Sequence, residues 1–527
     1  MVARVIYSEC SSAFWIDAAE KLAHDIGWEP CYWVSDDDIA SLVKQRFPGI
    51  VFHSNLDAVR GIPPTEYAGL RPEALNGPEL NELASCQIAA LHMMNRLDAL
   101  GSFRFDERVR LYHHLLSYWL SVLNETRPDF VIFSQAPHLV YDYVLYSLCK
   151  QKGIQTVIFE FTKLGGLLFS TASIEGATPL MQRYERLLAN YTPGYTEISD
   201  SSHNHLKAMS GAYEDIPTHV RPFFGMESGR ERTSVHNQFS PLLLMSRLMR
   251  LLREPIAVAW RSSRRLTPPN YLKQPGKKME ESHMSGLQYI LHRVRSRRKM
   301  NLLAASYRRM AQPPDMTKPF VYVPLAYQPE RTTSPLGGVF VNQILMVQLL
   351  SDSLPEGWYL YVKEHPAQFL KQQTFRTQSG RTKDLYDDLA AIPNVILMDS
   401  SVSSFDLTDK SLAVASVTGT TGWEAVVRGT PTLVFGYPWY RGCEGVFHTQ
   451  TKQECIEAFK KISEGYKVDQ EKVRLFIQAL EQIGDNGYVE AKYSEIAAIS
   501  PEENSEAITR SIKKFTETKG ETSAIIN

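Results

Sequence analysis

The sequence has few cysteines and none in a closely paired spacing. Six are scattered along its 527 residues without a CxxC motif: Cys10, Cys31, Cys86, Cys149, Cys443 and Cys455. A disulfide framework and a cysteine-based zinc site both need closely spaced cysteines. The scattered pattern therefore predicts buried thiols in a reducing compartment.

A large net charge and long apolar runs are also missing, and no leader segment is expected. The formal net charge is -1, so the field of the whole molecule does not attract nucleic acid. No apolar stretch approaches the roughly 18–20 residues of a membrane span. The N-terminus MVARVIYSEC enters a strand-like run without the basic-then-apolar order of a signal peptide. These absences predict a cytoplasmic protein that binds no nucleic acid.

Motifs of three common enzyme classes are absent as well. The sequence has no GxxxxGK[ST], no HExxH and no GxSxG with downstream partners, which disfavours kinases, zinc proteases and serine hydrolases. The composition that is present, 43% hydrophobic and 22% charged, is that of a globular protein. At this length, such a chain divides into two or three domains.

Two parts of the sequence alternate short apolar runs with helical patterns. In the first third, apolar runs such as residues 3–8, 29–35 and 128–134 each precede a helix-like segment, and the pattern returns between 320 and 436. This alternation, with short Gly/Pro turns, is typical of βαβ units and a parallel sheet. We therefore expect an α/β protein with two Rossmann-like domains.

The predicted organisation has four parts: a Rossmann-like domain at 1–195, a basic and largely helical segment at 196–316, a second Rossmann-like domain at 317–470, and C-terminal helices with a frayed tail at 471–527. From Ser246 to Met310, sixteen Lys and Arg accompany only three Glu. That basic stretch indicates a solvated face or linker, a contact with an anionic membrane, or a surface for a protein partner.

The stretch SVTGTTGWEAVVRGTPTLVFGYPWY at 416–440 carries the strongest functional signal. A strand ends there in five small residues, and a helix follows within two more: Thr418, Gly419, Thr420, Thr421 and Gly422. Glycines let the backbone approach a ligand, hydroxyls add donors, and a helix N-terminus attracts anions. We predict a phosphate or carboxylate site, the alternative being an ordinary strand-to-helix turn.

Two neighbours of that loop are further candidates for donor binding. Glu424, one turn into the helix, could accept hydrogen bonds from a ribose, or it could be a plain surface glutamate. Tyr437 belongs to the aromatic loop 436–440 and could stack on a base or a sugar. Gln328, in the polar loop 324–338, could contact sugar or phosphate, or serve only as an ordinary loop residue.

The step Lys363-Glu364-His365-Pro366 follows the second strand of the same domain. Ligands of open parallel sheets bind outside the carboxyl ends of the strands, and proline keeps the preceding residue extended. We predict that His365 and Pro366, with Lys363 beside them, bind a phosphate, or that His365 acts as a general acid that protonates the leaving group. A lone histidine in a turn is the structural alternative.

Carboxylates follow two strands of the N-terminal domain. Glu160 ends an apolar strand before the Gly165-Gly166 loop, and Glu9 follows the first strand. The stretch 134–138 follows another strand of the same domain. A carboxylate in such a place is a candidate catalytic base facing the opposite domain.

Residues 323–325, the His365-Pro366 step and the run from Thr418 to Tyr440 resemble the capsule polysaccharide biosynthesis family, which includes bacterial Kdo transferases. The resemblance covers about 320–450 well and the first 180 residues only in organisation. It implies a GT-B glycosyltransferase whose N-terminal, acceptor-side domain faces a C-terminal donor domain across a cleft. By the same resemblance, His365, Thr420 and Thr421 would hold the phosphate of a CMP-sugar such as CMP-Kdo.

The resemblance also implies the chemistry. We expect metal-independent transfer without a cofactor, from a nucleotide sugar to a capsule, lipopolysaccharide or lipid-linked glycan at the inner face of the bacterial inner membrane. Glu160 is the first candidate for the base and Glu9 the second. Arg441 to Glu444 depart from the Trp-Gly step of the Kdo enzymes, which leaves the sugar open. The alternatives are another donor, either a nucleoside-diphosphate sugar or a polyol phosphate, or a non-catalytic component of polysaccharide assembly or export.

Overall fold

The computed structural model describes residues 2–98, 103–162, 164–194, 196–211, 286–369, 380–382 and 384–526. Within the helices at 286–310 and 501–526, side chains are described only from residue 294 and up to residue 517. Residues 246–285 of the predicted basic stretch lie outside these ranges. In the described part of the chain, no helix is long and apolar enough to cross a membrane.

The N-terminal part alternates strands and helices. The strands are β1 Ala3–Ser8, β2 Trp28–Ser35, β3 Val51–Ser54, β4 Phe130–Phe133, β5 Gln155–Phe161 and β6 Leu167–Thr171. The helices are α1 Ala13–Ile26, α2 Ala40–Arg46, α3 Asn55–Ala58, α4 Gly77–Glu82, α5 Ala84–Leu97, α6 Phe105–Thr126, α7 Tyr141–Lys152, α8 Pro179–Ala189 and α9 Asp200–Ser210.

The remaining elements follow the same order of strand and helix. The strands are β7 Phe320–Pro324, β8 Tyr359–Lys363, β9 Val395–Leu397, β10 Ala413–Ser416, β11 Thr432–Val434, β12 Val446–His448 and β13 Asp485–Asn486. The helices are α10 Gly286–Met310, α11 Thr333–Leu336, α12 Gln343–Ser351, α13 Leu385–Ala391, α14 Ser404–Lys410, α15 Thr420–Val427, α16 Lys452–Ser463, α17 Gln470–Ile483, α18 Ser494–Ala497 and α19 Pro501–Ile526.

Two sheets organise these elements. The C-terminal sheet has the strand order β12-β11-β10-β7-β8-β9 with every pair parallel, which is the doubly wound order of a Rossmann domain. The N-terminal sheet has the order β13-β6-β5-β4-β1-β2-β3. Its first five strands in sequence are parallel, whereas β6 and β13 are antiparallel additions at one edge. The predicted α/β class with two Rossmann-like domains is confirmed.

Apolar residues on both faces of each strand explain these sheets. In β1, Val5 and Tyr7 point into one core cluster and Ile6 into another, all fully buried. Strands covered by helices on both faces read as continuous apolar runs, which is why ARVIYS was recognisable in the sequence. β6, in which only three apolar residues precede Ser170 and Thr171, was not predicted.

The end of the chain returns to the N-terminal domain. Tyr488, Ile508 and Ile512 are buried in the same cluster as Trp15 of α1, and Trp15 Nε1 donates to the carbonyl oxygen of Val489 at 3.2 Å. Conversely, α8 of the N-terminal part packs against α17 of the C-terminal part. The chain therefore passes between the two domains more than once.

Candidate functional site

Loops at the carboxyl ends of the C-terminal strands contact the N-terminal domain. Leu336, after β7, and Tyr437, after β11, pack against the core cluster that α5, α6 and α7 help to form. Arg96 on α5 donates to the carbonyl oxygen of Glu330, in the loop after β7, at 2.9 Å. The carboxyl edge of the C-terminal sheet therefore lies at the domain interface, where open α/β sheets bind ligands.

The glycine-threonine loop forms the start of α15. Gly419 is extended at the N-cap with φ -67° and ψ 149°, and the helix begins at Thr420, inside the predicted loop of small residues and not after it. Thr420 is exposed and Thr421 half-buried. Thr418 is buried, and among the described residues its Oγ1 has no hydrogen-bond partner. Helix N–H groups without partners and free hydroxyls suit an anion.

Close backbone contacts hold this loop against its neighbours. A Cβ on Gly422 would overlap the hydroxyl of Tyr440, and a Cβ on Gly436 would overlap the carbonyl oxygen of Leu336. The backbone N–H of Tyr437 donates to the same Leu336 carbonyl at 2.8 Å. The loops after β7, β10 and β11 therefore form one packed surface in which glycine is sterically required.

Replacing Gly436 with alanine should destabilise the protein by about 1–3 kcal/mol, the usual cost of overpacking. The new methyl group would meet a backbone oxygen, which cannot move aside as a flexible side chain can. Gly419→Ala is the matched control, because its Cβ would lie 3.8 Å from the nearest heavy atom and should cost about 1 kcal/mol or less as an N-cap change. Urea unfolding of both variants measures the difference; equal losses would contradict this explanation.

His365 has a fixed ring orientation just beyond β8. The backbone N–H of Ala367 donates to its Nδ1 at 3.1 Å, so the proton of the neutral ring lies on Nε2. Burial lowers the pKa of His365, although the charge of Glu364 opposes this effect. The neutral ring therefore presents an Nε2–H donor at the carboxyl end of the strand, and Pro366 opens the short turn Pro366–Phe369 beside it.

A buried ion pair supports the His365 backbone. Arg381 binds both oxygens of Glu364, with Nε to Oε2 at 2.9 Å and Nη2 to Oε1 at 2.8 Å. Tyr386 donates to Oε2 at 2.7 Å, and the backbone N–H of His365 donates to Oε1 at 2.7 Å. Glu364 and Arg381 are 1% and 6% exposed. The carboxylate therefore orients the end of β8 and does not face the ligand-binding edge of the sheet.

Lys363 and Gln328 are both buried and hydrogen-bonded to the protein. Lys363 Nζ donates to the carbonyl oxygen of Val402 and to Ser404 Oγ. The backbone N–H of Gln328 donates to Gln368 Oε1 at 2.9 Å. These contacts stabilise the loops around the predicted phosphate site. The roles of both residues in direct donor binding stay predictions.

Glu424 and Tyr437 occupy different surroundings. Glu424 is buried, and its charge helps to raise the pKa of Tyr440, an increase caused mainly by burial. The ring of Tyr437 lies at the interface, with the Arg441 guanidinium carbon 5.4 Å from its centroid and the His448 ring 5.5 Å away. Of these two predicted donor-binding residues, Tyr437 therefore has the more open position for stacking.

Glu160 lies half-buried at the end of β5. Burial raises the pKa of its carboxyl to about 7, while Arg441 of the opposite domain pulls the pKa down. Arg441 also donates to the carbonyl oxygen of Gly176, which fixes it at the interface. A carboxyl with a pKa near neutrality, opposite a cation of the other domain, has the properties of a general base.

Glu9 is paired with a buried histidine. His138 Nδ1 lies 3.3 Å from Glu9 Oε2 and 3.1 Å from the carbonyl oxygen of Ala136, so Nδ1 carries the ring proton. His138 Nε2 is buried and has no hydrogen-bond partner in the described part of the chain. Glu9 has φ +60°, which is uncommon outside glycine, and burial followed by the charge of Asp142 raises the pKa of its carboxyl.

Glu9, His138 and Asp142 form a group whose ligand atoms lie within 4.8 Å of one another, close enough to suggest a metal ion. Asp142, however, already accepts backbone N–H groups from His138, Leu139 and Tyr143 at 2.6–2.7 Å, in and just before the first turn of α7. The charges of Arg331 and Arg96 act on His138 and, after burial, lower its pKa. Two nearby cations and a carboxylate committed to the backbone fit a structural network better than a metal site.

A separate cavity of about 440 Å³ lies between α5 and the C-terminal domain. Its lining includes Arg96, Gln328, Glu330 and Arg381. Only Gln328 among the predicted site residues contributes to it. The cavity therefore lies beside the loop after β7 and does not contain the His365 imidazole or the glycine-threonine loop.

Sequence reasoning missed three residues that shape this region. Arg381, Arg96 and Asp142 carry no local motif, because each acts on a partner distant in sequence or on backbone groups. Glu364 was visible in the Lys363-to-Pro366 step, but nothing in the sequence indicated its pairing.

Sequence comparison supports the family resemblance. Residues 331–476 match the family model described as capsule polysaccharide biosynthesis protein. The resemblance seen in the His365-Pro366 step and in the run 418–440 is thereby confirmed for this part of the chain. Among proteins with curated descriptions, none matches the chain in sequence.

Comparison with solved structures gives distant similarities. The UDP-GlcNAc 2-epimerase of Neisseria meningitidis is 11% identical and covers 98% of this chain and 100% of its own, with a TM-score of 0.23. Thermosulfurimonas dismutans KpsC, a beta Kdo 2,7 transferase, is 11% identical over 69% of this chain and 89% of its own, with a TM-score of 0.24. The S. aureus MnaA–UDP structure is 10% identical over 91% and 94%, with a TM-score of 0.21. At these scores, the fold assignment rests on the two sheets of the chain itself.

Proposed function

We propose that this protein is a metal-independent glycosyltransferase that moves a sugar from a nucleotide-activated donor to a growing bacterial surface glycan. The family match over 331–476 supports a role in capsule polysaccharide synthesis. The observation that carries the proposal is the ring orientation of His365, whose Nε2–H donor stands at the carboxyl end of β8. A CMP-sugar such as CMP-Kdo is the favoured donor, and no cofactor is required.

The donor phosphate would bind in the C-terminal domain. His365 Nε2–H, the hydroxyls of Thr420 and Thr421 and the first N–H groups of α15 would surround it. As the bond between the anomeric carbon and the phosphate oxygen breaks, these dipoles would stabilise the charge that develops on the leaving group. Such preorganised electrostatic stabilisation is usually the largest contribution to catalysis.

The acceptor would bind on the N-terminal side. Glu160 would take the proton of the acceptor hydroxyl as the new glycosidic bond forms, because its pKa of about 7 makes it an effective base near neutral pH. Glu9 remains the second candidate, although its raised pKa and its contact with His138 favour a positioning role. We further propose a cytoplasmic enzyme acting on a glycan or lipid-linked glycan.

Thermal unfolding with CMP, UDP and GDP tests this function. CMP should raise the melting temperature, since a ligand at about 100 times its Kd stabilises by about 2.7 kcal/mol. His365→Ala should abolish the shift, whereas His203→Ala, at an exposed position of α9, should keep it. A shift with UDP or GDP alone would favour another donor. Absence of any shift would favour a non-catalytic component of polysaccharide assembly.

A further inference from the structure

Helix α10 is unusual in its charge. Its 25 residues, Gly286–Met310, contain seven Lys and Arg and no Asp or Glu. At 1.5 Å per residue, it is about 37 Å long. A cationic helix of this length must either be neutralised by the rest of the protein or present its charge outward.

One face of α10 is packed against the C-terminal domain. The buried positions recur at helical spacing: Ser296, Met300, Leu303, Ala304 and Tyr307. Leu303 and Tyr307 belong to the core of the C-terminal domain, and the Tyr307 hydroxyl donates to the carbonyl oxygen of Met398. The orientation of the helix about its own axis is therefore fixed, and so is the identity of its outer face.

The outer face combines arginines with exposed aliphatic side chains. Val294 and Leu302 are 60% and 58% exposed. The exposed positions span about 160° of the helix circumference, given 3.6 residues per turn, and they are 294, 295, 297, 298, 301, 302, 305, 308 and 309. Arg309 pairs with Asp387 of α13 at 3.2 Å. Arg295, Arg297 and Arg298 remain on a face where the helix itself supplies no acidic residue.

We infer that this outer face binds the surface of an anionic lipid bilayer. Interfacial helices place arginines at the level of the headgroups, where their aliphatic stems cover apolar surface, and insert aliphatic side chains between them. Val294 and Leu302 fit the insertion, and Arg295 and Arg298 fit anionic headgroups. A nucleic-acid backbone would match the charge but not the two exposed aliphatic side chains, so the membrane is the better partner for this surface.

Co-sedimentation of the full chain with lipid vesicles tests the inference without any nucleotide or acceptor, so the result is independent of glycosyl transfer. The protein should pellet with phosphatidylcholine vesicles that contain phosphatidylglycerol and remain in solution with pure phosphatidylcholine. The double variant R295E/R298E should lower vesicle affinity by about tenfold or more. High salt should weaken binding, because screening shortens the reach of the charges.

The control carries the same change of charge elsewhere. K460E/K467E reverses two exposed lysines outside α10, one on α16 and one four residues after it, and should bind vesicles like the unmodified protein. V294S/L302S should lower affinity while keeping every positive charge. Equal losses in the two charge variants, absence of vesicle binding, or binding of an RNA oligonucleotide in place of vesicles would each overturn the inference.

Discussion

Replacing Arg381 with leucine should lower the free energy of unfolding by about 3–5 kcal/mol, the cost of leaving one member of a buried ion pair without its partner. The Glu364 carboxylate is 1% exposed and would keep only the Tyr386 hydroxyl and the His365 N–H as neutral donors. Urea unfolding measures the loss. Arg309→Leu is the control, because its pair with Asp387 is exposed and should contribute at most about 1 kcal/mol.

The double variant E364L/R381L separates pairing from packing. Removing both charges leaves no isolated ion in the core, so the double variant should be more stable than the sum of the two single losses predicts. Additive losses would mean that the two groups are not coupled. Because Glu364 binds the His365 N–H, Arg381→Leu should also weaken CMP binding, which links this pair to the proposed donor site.

Replacing Glu160 with glutamine should lower kcat by about 10²–10⁴-fold, the usual contribution of a general base, while leaving nucleotide affinity unchanged. Glutamine keeps the size of the side chain but cannot accept the proton of the acceptor hydroxyl. Steady-state kinetics with the donor identified by thermal unfolding provides the measurement. If Glu9→Gln loses the rate and Glu160→Gln keeps it, the assignment of the base is wrong.

The pH profile provides a second readout for Glu160. A base must be deprotonated to act, and the pKa of this carboxyl is raised to about 7 by burial. The rate should therefore rise as the pH increases through about 7, and this limb of the profile should be missing in the glutamine variant. A structural role alone would not remove the limb.

The strands of both domains could be predicted because their apolar runs are buried on two faces. β1 begins and ends where the run ARVIYS does, and β8 ends at Lys363, where the Lys363-to-Pro366 step follows the predicted second strand. β13 has only two residues, and the apolar run of β6 is only three residues long before Ser170 and Thr171, so neither strand gives a recognisable signal. α15 begins earlier than predicted because Gly419 supplies the N-cap and the packed loop around it overrides the modest helix propensity of threonine.

The positions of the candidate residues that follow strand ends could be predicted. The side-chain contacts between residues distant in sequence could not. The rule that ligands bind at the carboxyl ends of parallel strands placed His365, Thr418 and Glu160 near the domain interface from sequence alone. It did not reveal that Glu364 would bind an arginine 17 residues away, or that Lys363 would point to Ser404. Side-chain direction at a strand end depends on which loops cover it, and that information is spread over the whole chain.

The return of α19 to the first domain means that the N-terminal domain is not a contiguous stretch of sequence. The Ser170 hydroxyl of β6 donates to the carbonyl oxygen of Ser511 at 3.1 Å, and Lys513 pairs with Asp25 of α1 at 2.7 Å. A fragment that stops before residue 485 would therefore lack one wall of its own core, and the N-terminal domain could complete its fold only after the C-terminal domain has been synthesised. Folding of one half of the proposed cleft therefore depends on translation of the other half.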